Sequence, residues 1–234
     1  MKKIYILFIV FIALFCLPLV YIFFIGFAKL DFFELARTTF MSFSLALFAT
    51  CLSFVFALPS AFAYVYHKSK FVYFTILLLC ILPPFLLSLL FSNLFFHIGI
   101  SESFFSLSFA HMLSIFPYSF IFMVLGLNFV PKQATYFAKL YASNFFKGYW
   151  LFYFPFMKPA ILVAFLLGVS ISLSQYILTL MLAKPGFTTL ILRMTPYVQN
   201  GDVQSAATYG IVFLFNTLLA LYLFFRLKNA LSTN

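Results

Sequence analysis

The sequence predicts an all-α, polytopic membrane protein, and three observations carry that prediction. The 234 residues are 65% hydrophobic and 8% charged, with a mean hydropathy of +1.14. Apolar runs of about 20 residues recur, which is the length a helix needs to cross a hydrocarbon core of about 30 Å. No run of alternating ten-residue segments, the mark of a membrane β-barrel, is present. A helix satisfies its own backbone groups in lipid, so each run is read as a helical span.

Six spans follow in order, within a single domain over 1–234. The first, Ile4–Ala28, comes after Met-Lys-Lys. At about 25 apolar residues it exceeds the roughly 7–15 of a signal-peptide core, and no small-x-small cleavage site follows, so it is read as an uncleaved span. The second is Thr39–Tyr66, the third Phe71–His97 and the fourth Phe105–Phe129. The fifth is Pro159–Ala183 and the sixth Ala206–Arg226. Pro18, Pro59, Pro83, Pro84 and Pro117 lie inside spans and predict kinks there. Pro185-Gly186 and Asn200-Gly201-Asp202 mark turns in the loop before the last span. Between them, Phe187–Val198 has apolar residues at helical spacing and predicts a short outer helix.

Charge sets the orientation. With both termini in the cytoplasm, the inside holds Lys2, Lys3, Lys68, Lys70, Lys132, Lys139, Lys147, Lys158, Arg226 and Lys228, ten of the fourteen basic residues. All four acids, Asp31, Glu34, Glu102 and Asp202, then lie outside. Lys and Arg accumulate on the cytoplasmic side, so this orientation is predicted. The net charge of +10 is spread singly at span ends, which argues against nucleic-acid binding and for topology signals and contacts with the lipid bilayer. Cys16, Cys51 and Cys80 sit in apolar runs without metal-type spacing and are read as small hydrophobes.

The segment 130–158 differs from every other loop. It carries Lys132, Lys139, Lys147 and Lys158 and no acid. Ala134–Asn144 lacks Gly and Pro and predicts about three helical turns, with Phe137, Leu140 and Tyr141 on one apolar face. Ser143 and Asn144 can cap a second short helix over Phe145–Phe152, which Gly148 interrupts. Pro155 and Pro159 set the turn into the fifth span. A cytoplasmic helix of this kind either docks into a partner groove or lies in the lipid headgroups as an interfacial helix.

This segment resembles the E-A-A-x-x-x-G signature, followed by L-P, of type I permeases of binding-protein-dependent ABC importers. Tyr136-Phe137-Ala138 falls on E-A-A, Ala142 on the Gly, Tyr149 on the usual aromatic and Phe154-Pro155 on L-P. Tyr136 replaces the acid and Ala142 replaces Gly. Thr39–Tyr66 is similar to the family's small-residue second span, Ile81-Leu82-Pro83-Pro84 to its L-P-P segment, and Ser172-Leu173-Ser174-Gln175-Tyr176 to its short polar motif. Asp202–Tyr209 resembles the start of its last span. The nearest look is to the iron(III), thiamine, sulfate or molybdate, and polyamine permeases.

The resemblance implies a transmembrane permease subunit in a bacterial cytoplasmic membrane. Its partners would be a cytoplasmic ABC ATPase dimer, a second permease half (the same chain or a paired one) and an extracytoplasmic substrate-binding protein. Tyr136, Phe137, Ala138, Ala142, Tyr149 and Pro155 would couple to the ATPase. The chain would not be an enzyme and would hold no cofactor, ATP being bound by the ATPase; no G-x-x-x-x-G-K-S/T occurs in it.

No Asp, Glu, Lys or Arg lies well inside a span, which excludes the usual proton-relay or ion-pair site. Polar candidates for the substrate pathway or the permease interface are Ser88, Ser92 and Asn93 in the third span and Ser172, Gln175 and Thr179 in the fifth. The last three fall at i, i+3 and i+7, one stripe of an unbroken helix. Single Ser and Thr residues also serve simply as helix–helix or back-bonding groups. His111, with Ser114 and Tyr118 in the fourth span, reads as a packed, hydrogen-bonded group. A membrane channel or non-transporting subunit is the alternative reading. An intramembrane protease is a weaker one, because His111 and Ser114 are one turn apart and no Ser has a glycine-rich elbow around it.

Overall fold

In the computed structural model, residues 32–215 apart from 102, together with Tyr222, are described. The first expected span and most of the second half of the sixth lie outside them. The described chain is helical throughout its ordered elements: α1 (Phe32–His67), α2 (Lys70–Ile81), α3 (Pro84–Ile98), α4 (Phe104–Asn128), α5 (Lys132–Tyr141), α6 (Phe145–Gly148), a π-helical turn (Tyr149–Tyr153), α7 (Phe154–Ser174), α8 (Tyr176–Leu182), α9 (Leu190–Gln199) and α10 (Val203–Phe215). Among the described residues three helical runs are long and apolar enough to cross a membrane, or up to four if a bent pair is one span. The chain is a multi-pass helical membrane protein.

Helices α1, α4 and α7 form the central bundle. Phe48 meets Phe104 at 5.7 Å and Tyr64 meets Phe120 at 5.8 Å, so α1 and α4 run in the same direction. Phe54 meets Phe165 at 6.3 Å and Phe62 meets Tyr153 at 5.2 Å, so α7 runs the opposite way. These directions are those expected of the second, fourth and fifth spans.

Small residues bring the three backbones together. On α1, Ala46, Ala49, Thr50, Ser53, Ala57 and Ala61 are all fully buried and recur at three- and four-residue spacing. Lipid tails are as apolar as Leu, so membrane helices gain from close backbone packing more than from burial of large side chains. Ser53 Oγ donates to Ser119 Oγ at 3.0 Å across the α1–α4 seam. At the α4–α7 crossing, a Cβ on Gly126 would lie 3.0 Å from Ala160 Cβ.

Two spans are broken, the third where Pro83 and Pro84 predict a kink and the fifth where no such residue stands. The third is broken: α2 and α3 meet at 103°. Pro84 excludes the helical conformation at the residue before it, and Pro83 is extended at φ −67, ψ 142. The fifth begins earlier and ends earlier than Pro159–Ala183. Helix runs without interruption from Phe145 through the π turn to Ser174, and Gly148, at φ −59, ψ −46, does not break it. The π turn, where Phe154 N–H bonds Tyr149 O, immediately precedes Pro155, which has no N–H to give. The run then breaks at Gln175 (φ −77, ψ 87) before α8.

The shorter elements agree more closely. Asn144 Oδ1 caps α6 by accepting from Lys147 N–H at 2.8 Å. The outer helix expected over Phe187–Val198 is α9, Leu190–Gln199. Ser103 opens α4 with a capping box shared with Ser106.

Candidate functional site

One end of the bundle carries the segment with the coupling signature. Helix α5 turns Ala134 and Ala138 inward, each 8% exposed, and its larger residues outward. Tyr136 (61%), Leu140 (57%) and Tyr141 (69%) stand in the open, and Phe137 is also exposed. The apolar face read from the sequence is therefore not used by this chain's own core.

Small side chains fix how this face is held. A Cβ on Gly148 would lie 3.1 Å from Ala142 Cβ and 3.8 Å from Ala138 Cβ. The end of α5 thus rests directly on the backbone of α6. Behind the contact Tyr149 is buried, 9% exposed, while Pro155 is exposed. A cavity of about 830 Å³ lies between this segment and the end of α1, with Phe62, Tyr66, Lys139, Asn144 and Tyr153 among its walls. Phe62 is the hub of its aromatic wall, 5.4 Å from Phe145 and 5.6 Å from Tyr66.

The second polar centre is deep between α4 and the broken fifth span. His111 is fully buried. Its Nδ1 lies 2.9 Å from Ser172 Oγ on α7 and its Nε2 lies 3.1 Å from Thr179 Oγ1 on α8. Thr179 Oγ1 also donates to the Gln175 carbonyl at 2.5 Å, so its hydrogen is spent there. It must therefore accept from Nε2–H, which leaves Nδ1 to accept from the Ser172 hydroxyl. Ser172 and Thr179 are 3% and 1% exposed, and Gln175 is half-buried at the break itself.

The remaining candidates lie on α3. Ser88 is fully buried, donates to the Phe85 carbonyl at 2.6 Å and lies 3.0 Å from Met181 Sδ, which links α3 to α8. Ser92 is half-buried and Asn93 exposed. Ser114 Oγ, one turn from His111, is buried and has no hydrogen-bond partner among the described residues.

At the opposite end from α5, Arg193 of α9 pairs with Glu34 at the start of α1. Partial burial works against the Arg193 charge, but the Tyr209 hydroxyl and the Glu34 carboxylate outweigh it and hold the guanidinium above its usual value. Leu190 N–H donates to Ser42 Oγ at 2.8 Å, so α9 is tied to α1 twice. Among the described residues no group of three or more His, Cys, Asp or Glu side chains comes together that could hold a metal ion.

Sequence reasoning did not single out the His111 junction, Gly168 or the Arg193–Glu34 pair. His111 lies 61 and 68 residues from its two partners, so no local spacing could have joined them.

No family model matches the chain, and no curated protein matches it. Among solved structures, the chain is similar to one described as inward facing conformations of the MetNI methionine ABC transporter. The TM-score is 0.68 at 13% sequence identity, and the match covers 84% of this chain and 95% of that one. At that identity the likeness is one of fold: the described helices share the helical membrane fold of a chain of that transporter.

Proposed function

We propose that this chain is one permease half of a binding-protein-dependent ABC importer in a bacterial cytoplasmic membrane. The observation that carries the reading is the shared fold, matched over 84% of this chain and 95% of the other. The exposed face of α5 supports it, because Tyr136, Phe137, Leu140 and Tyr141 offer an apolar surface on a lysine-bearing segment. In this reading α5 and α6 seat on a cytoplasmic ATPase that binds ATP, a second permease half completes the pathway, and an extracytoplasmic binding protein delivers the substrate. Both termini are cytoplasmic. Tyr136, Phe137, Ala138, Ala142, Tyr149 and Pro155 belong to the coupling end.

The test is purification of the tagged full-length chain from its native membrane, together with reporter fusions. A Walker-type ATPase is expected to copurify in about equal amount. Fusions at Glu102 and Gly201 should report the outside and fusions at Lys139 and Asn234 the inside. An outside signal at Lys139 removes α5 from any ATPase and overturns the proposal.

Ser88, Ser172 and Thr179 are buried and hydrogen-bonded within this chain, away from any pathway; Ser92, Asn93 and Gln175 are proposed to lie along the pathway or the permease interface. Of these, Gln175 makes the sharpest claim. A side-chain amide left unpaired in hydrocarbon costs roughly 2–7 kcal/mol, so its half-buried side chain should face water or the partner permease. In a background without the three native cysteines, Gln175→Cys should react with a small water-soluble thiol reagent or crosslink to the partner. Reaction at Ile177→Cys instead, with Gln175→Cys silent, would reverse the assignment.

A further inference from the structure

We propose that His111 is a positioning residue that latches the break in the fifth span, so that the angle between α7 and α8 changes only when one of its two hydrogen bonds is released. The inference rests on the importer reading for its role in transport, but the latch itself is a claim about this chain alone.

The break is not made by Pro or Gly. From Ser170 to Ile177 the sequence contains neither Pro nor Gly. Sharp kinks in helices trace to such residues or to a side chain inserted into the backbone ladder. Gln175 nevertheless leaves the helical region, at ψ 87 against about −42 for an α-helix. The backbone groups freed there are met at close range: Gln175 N–H reaches Ser172 O at 3.3 Å, Ser174 Oγ donates to Ile171 O at 2.8 Å, and Thr179 Oγ1 takes the Gln175 carbonyl.

His111 joins the two sides of the break. On an unbroken helix residues 172 and 179 are separated by about 10.5 Å of rise. One imidazole with two hydrogen bonds of 2.9 and 3.1 Å reaches roughly 8 Å at full stretch. With the helix broken at Gln175, both hydroxyls lie within reach of the one ring. Straightening the helix pulls Thr179 off Nε2 or Ser172 off Nδ1 and leaves a buried polar atom without its partner. Two discrete arrangements separated by a lost hydrogen bond make a switchable element rather than a soft bend.

What moves with α8 gives the latch its reach. Thr179 and Met181 tie α8 to α4 and α3, and the chain leaves α8 for the loop that carries α9, itself tied to Ser42 and Glu34 of α1. A change of angle at Gln175 therefore displaces the end of the bundle opposite α5 relative to α7, which continues directly from the coupling segment.

The experiment measures the break. Spin labels are placed at the exposed positions Leu167 on α7 and Leu180 on α8 of the full-length chain in lipid bilayers, in a background without native cysteines. The parent should give a single narrow distance. Removing all three polar partners together, His111→Leu with Ser172→Ala and Thr179→Val, leaves none of these three side chains orphaned and frees only the carbonyl of half-buried Gln175, so the chain should insert and remain monodisperse at the parental level. Its distance distribution should broaden at least twofold or move to a longer mean. Ser172→Ala alone, which frees only the α7 anchor, should broaden it in the same direction and serves if the triple variant does not fold. A parental narrow distance in the folded triple variant, or in Ser172→Ala, overturns the latch. In complexes that retain their ATPase, Mg-ATP with vanadate should shift the parental distance and leave the triple variant unmoved. Failure to recover any ATPase counts against the importer reading, while the nucleotide-free distances still decide the latch.

Discussion

Gly168→Ala is expected to destabilise the chain by about 1–3 kcal/mol, although alanine is the better helix former in the middle of α7. The added Cβ would sit 2.7 Å from Thr50 Cγ2 and 3.0 Å from Ile115 Cγ2, at the point where α1, α4 and α7 meet. Neither neighbour is the free end of a flexible side chain; both are branches of β-branched residues, stiff at χ1. Thr50 is also fully buried and held by its own hydroxyl, which donates to the Ala46 carbonyl at 2.7 Å. The backbones must therefore separate, and the whole small-residue seam of α1 loosens with them. For a chain of this size each kcal/mol moves a melting midpoint by about 2–4 °C, so a fall of roughly 2–12 °C should appear in a detergent thermal-aggregation assay. Adding Thr50→Ala removes the nearer methyl and the hydroxyl and should restore at least half of the loss. An unchanged midpoint in Gly168→Ala, or no recovery in the double variant, would mean that the three helices do not cross there.

The spans were legible because hydropathy reports length and helices in lipid have one way to satisfy their backbones. The directions of α1, α4 and α7 agree with the alternation expected of the second, fourth and fifth apolar runs. The departures share one cause: an apolar run says nothing about where a helix bends inside it. At Pro83-Pro84 the residues announce a disturbance, yet not that α2 and α3 diverge by 103°. At Gln175 no Pro or Gly announces one. An unbroken fifth span puts Ser172, Gln175 and Thr179 on one polar stripe. The break instead gives Ser172 and Thr179 to His111 and leaves Gln175 at the corner. The glycines divide in the same way. Gly148 reads as a helix breaker by propensity, yet it is helical and its smallness is used for contact with Ala142. Tertiary packing supplies a reason for these residues that no window of sequence contains.

That contact yields the second large effect. Gly148→Val puts a branched side chain where the Ala142 methyl already stands at 3.1 Å and the Ala138 methyl at 3.8 Å. Ala142→Arg approaches the same contact from the other side, and adds a charge to a segment that carries lysines and no acid. In either variant the end of α5 must lift away from α6. The central bundle should survive, because neither residue contributes to the α1–α4–α7 seam, and insertion and thermal midpoint should stay within a few degrees of the parent. What changes is the angle at which Tyr136, Phe137, Leu140 and Tyr141 are presented. A docked helix depends on the register of its anchors, and a rigid surface misplaced by an ångström or two loses most of its contacts. The amount of ATPase recovered with the tagged chain should therefore fall at least tenfold in both variants. Ala142→Gly, which matches the family signature and adds no atoms, should leave recovery at the parental level. If Gly148→Val and Ala142→Arg hold the ATPase as well as the parent does, α5 and α6 are an interfacial helix pair resting in the headgroups, and coupling to a motor must be sought elsewhere on the chain.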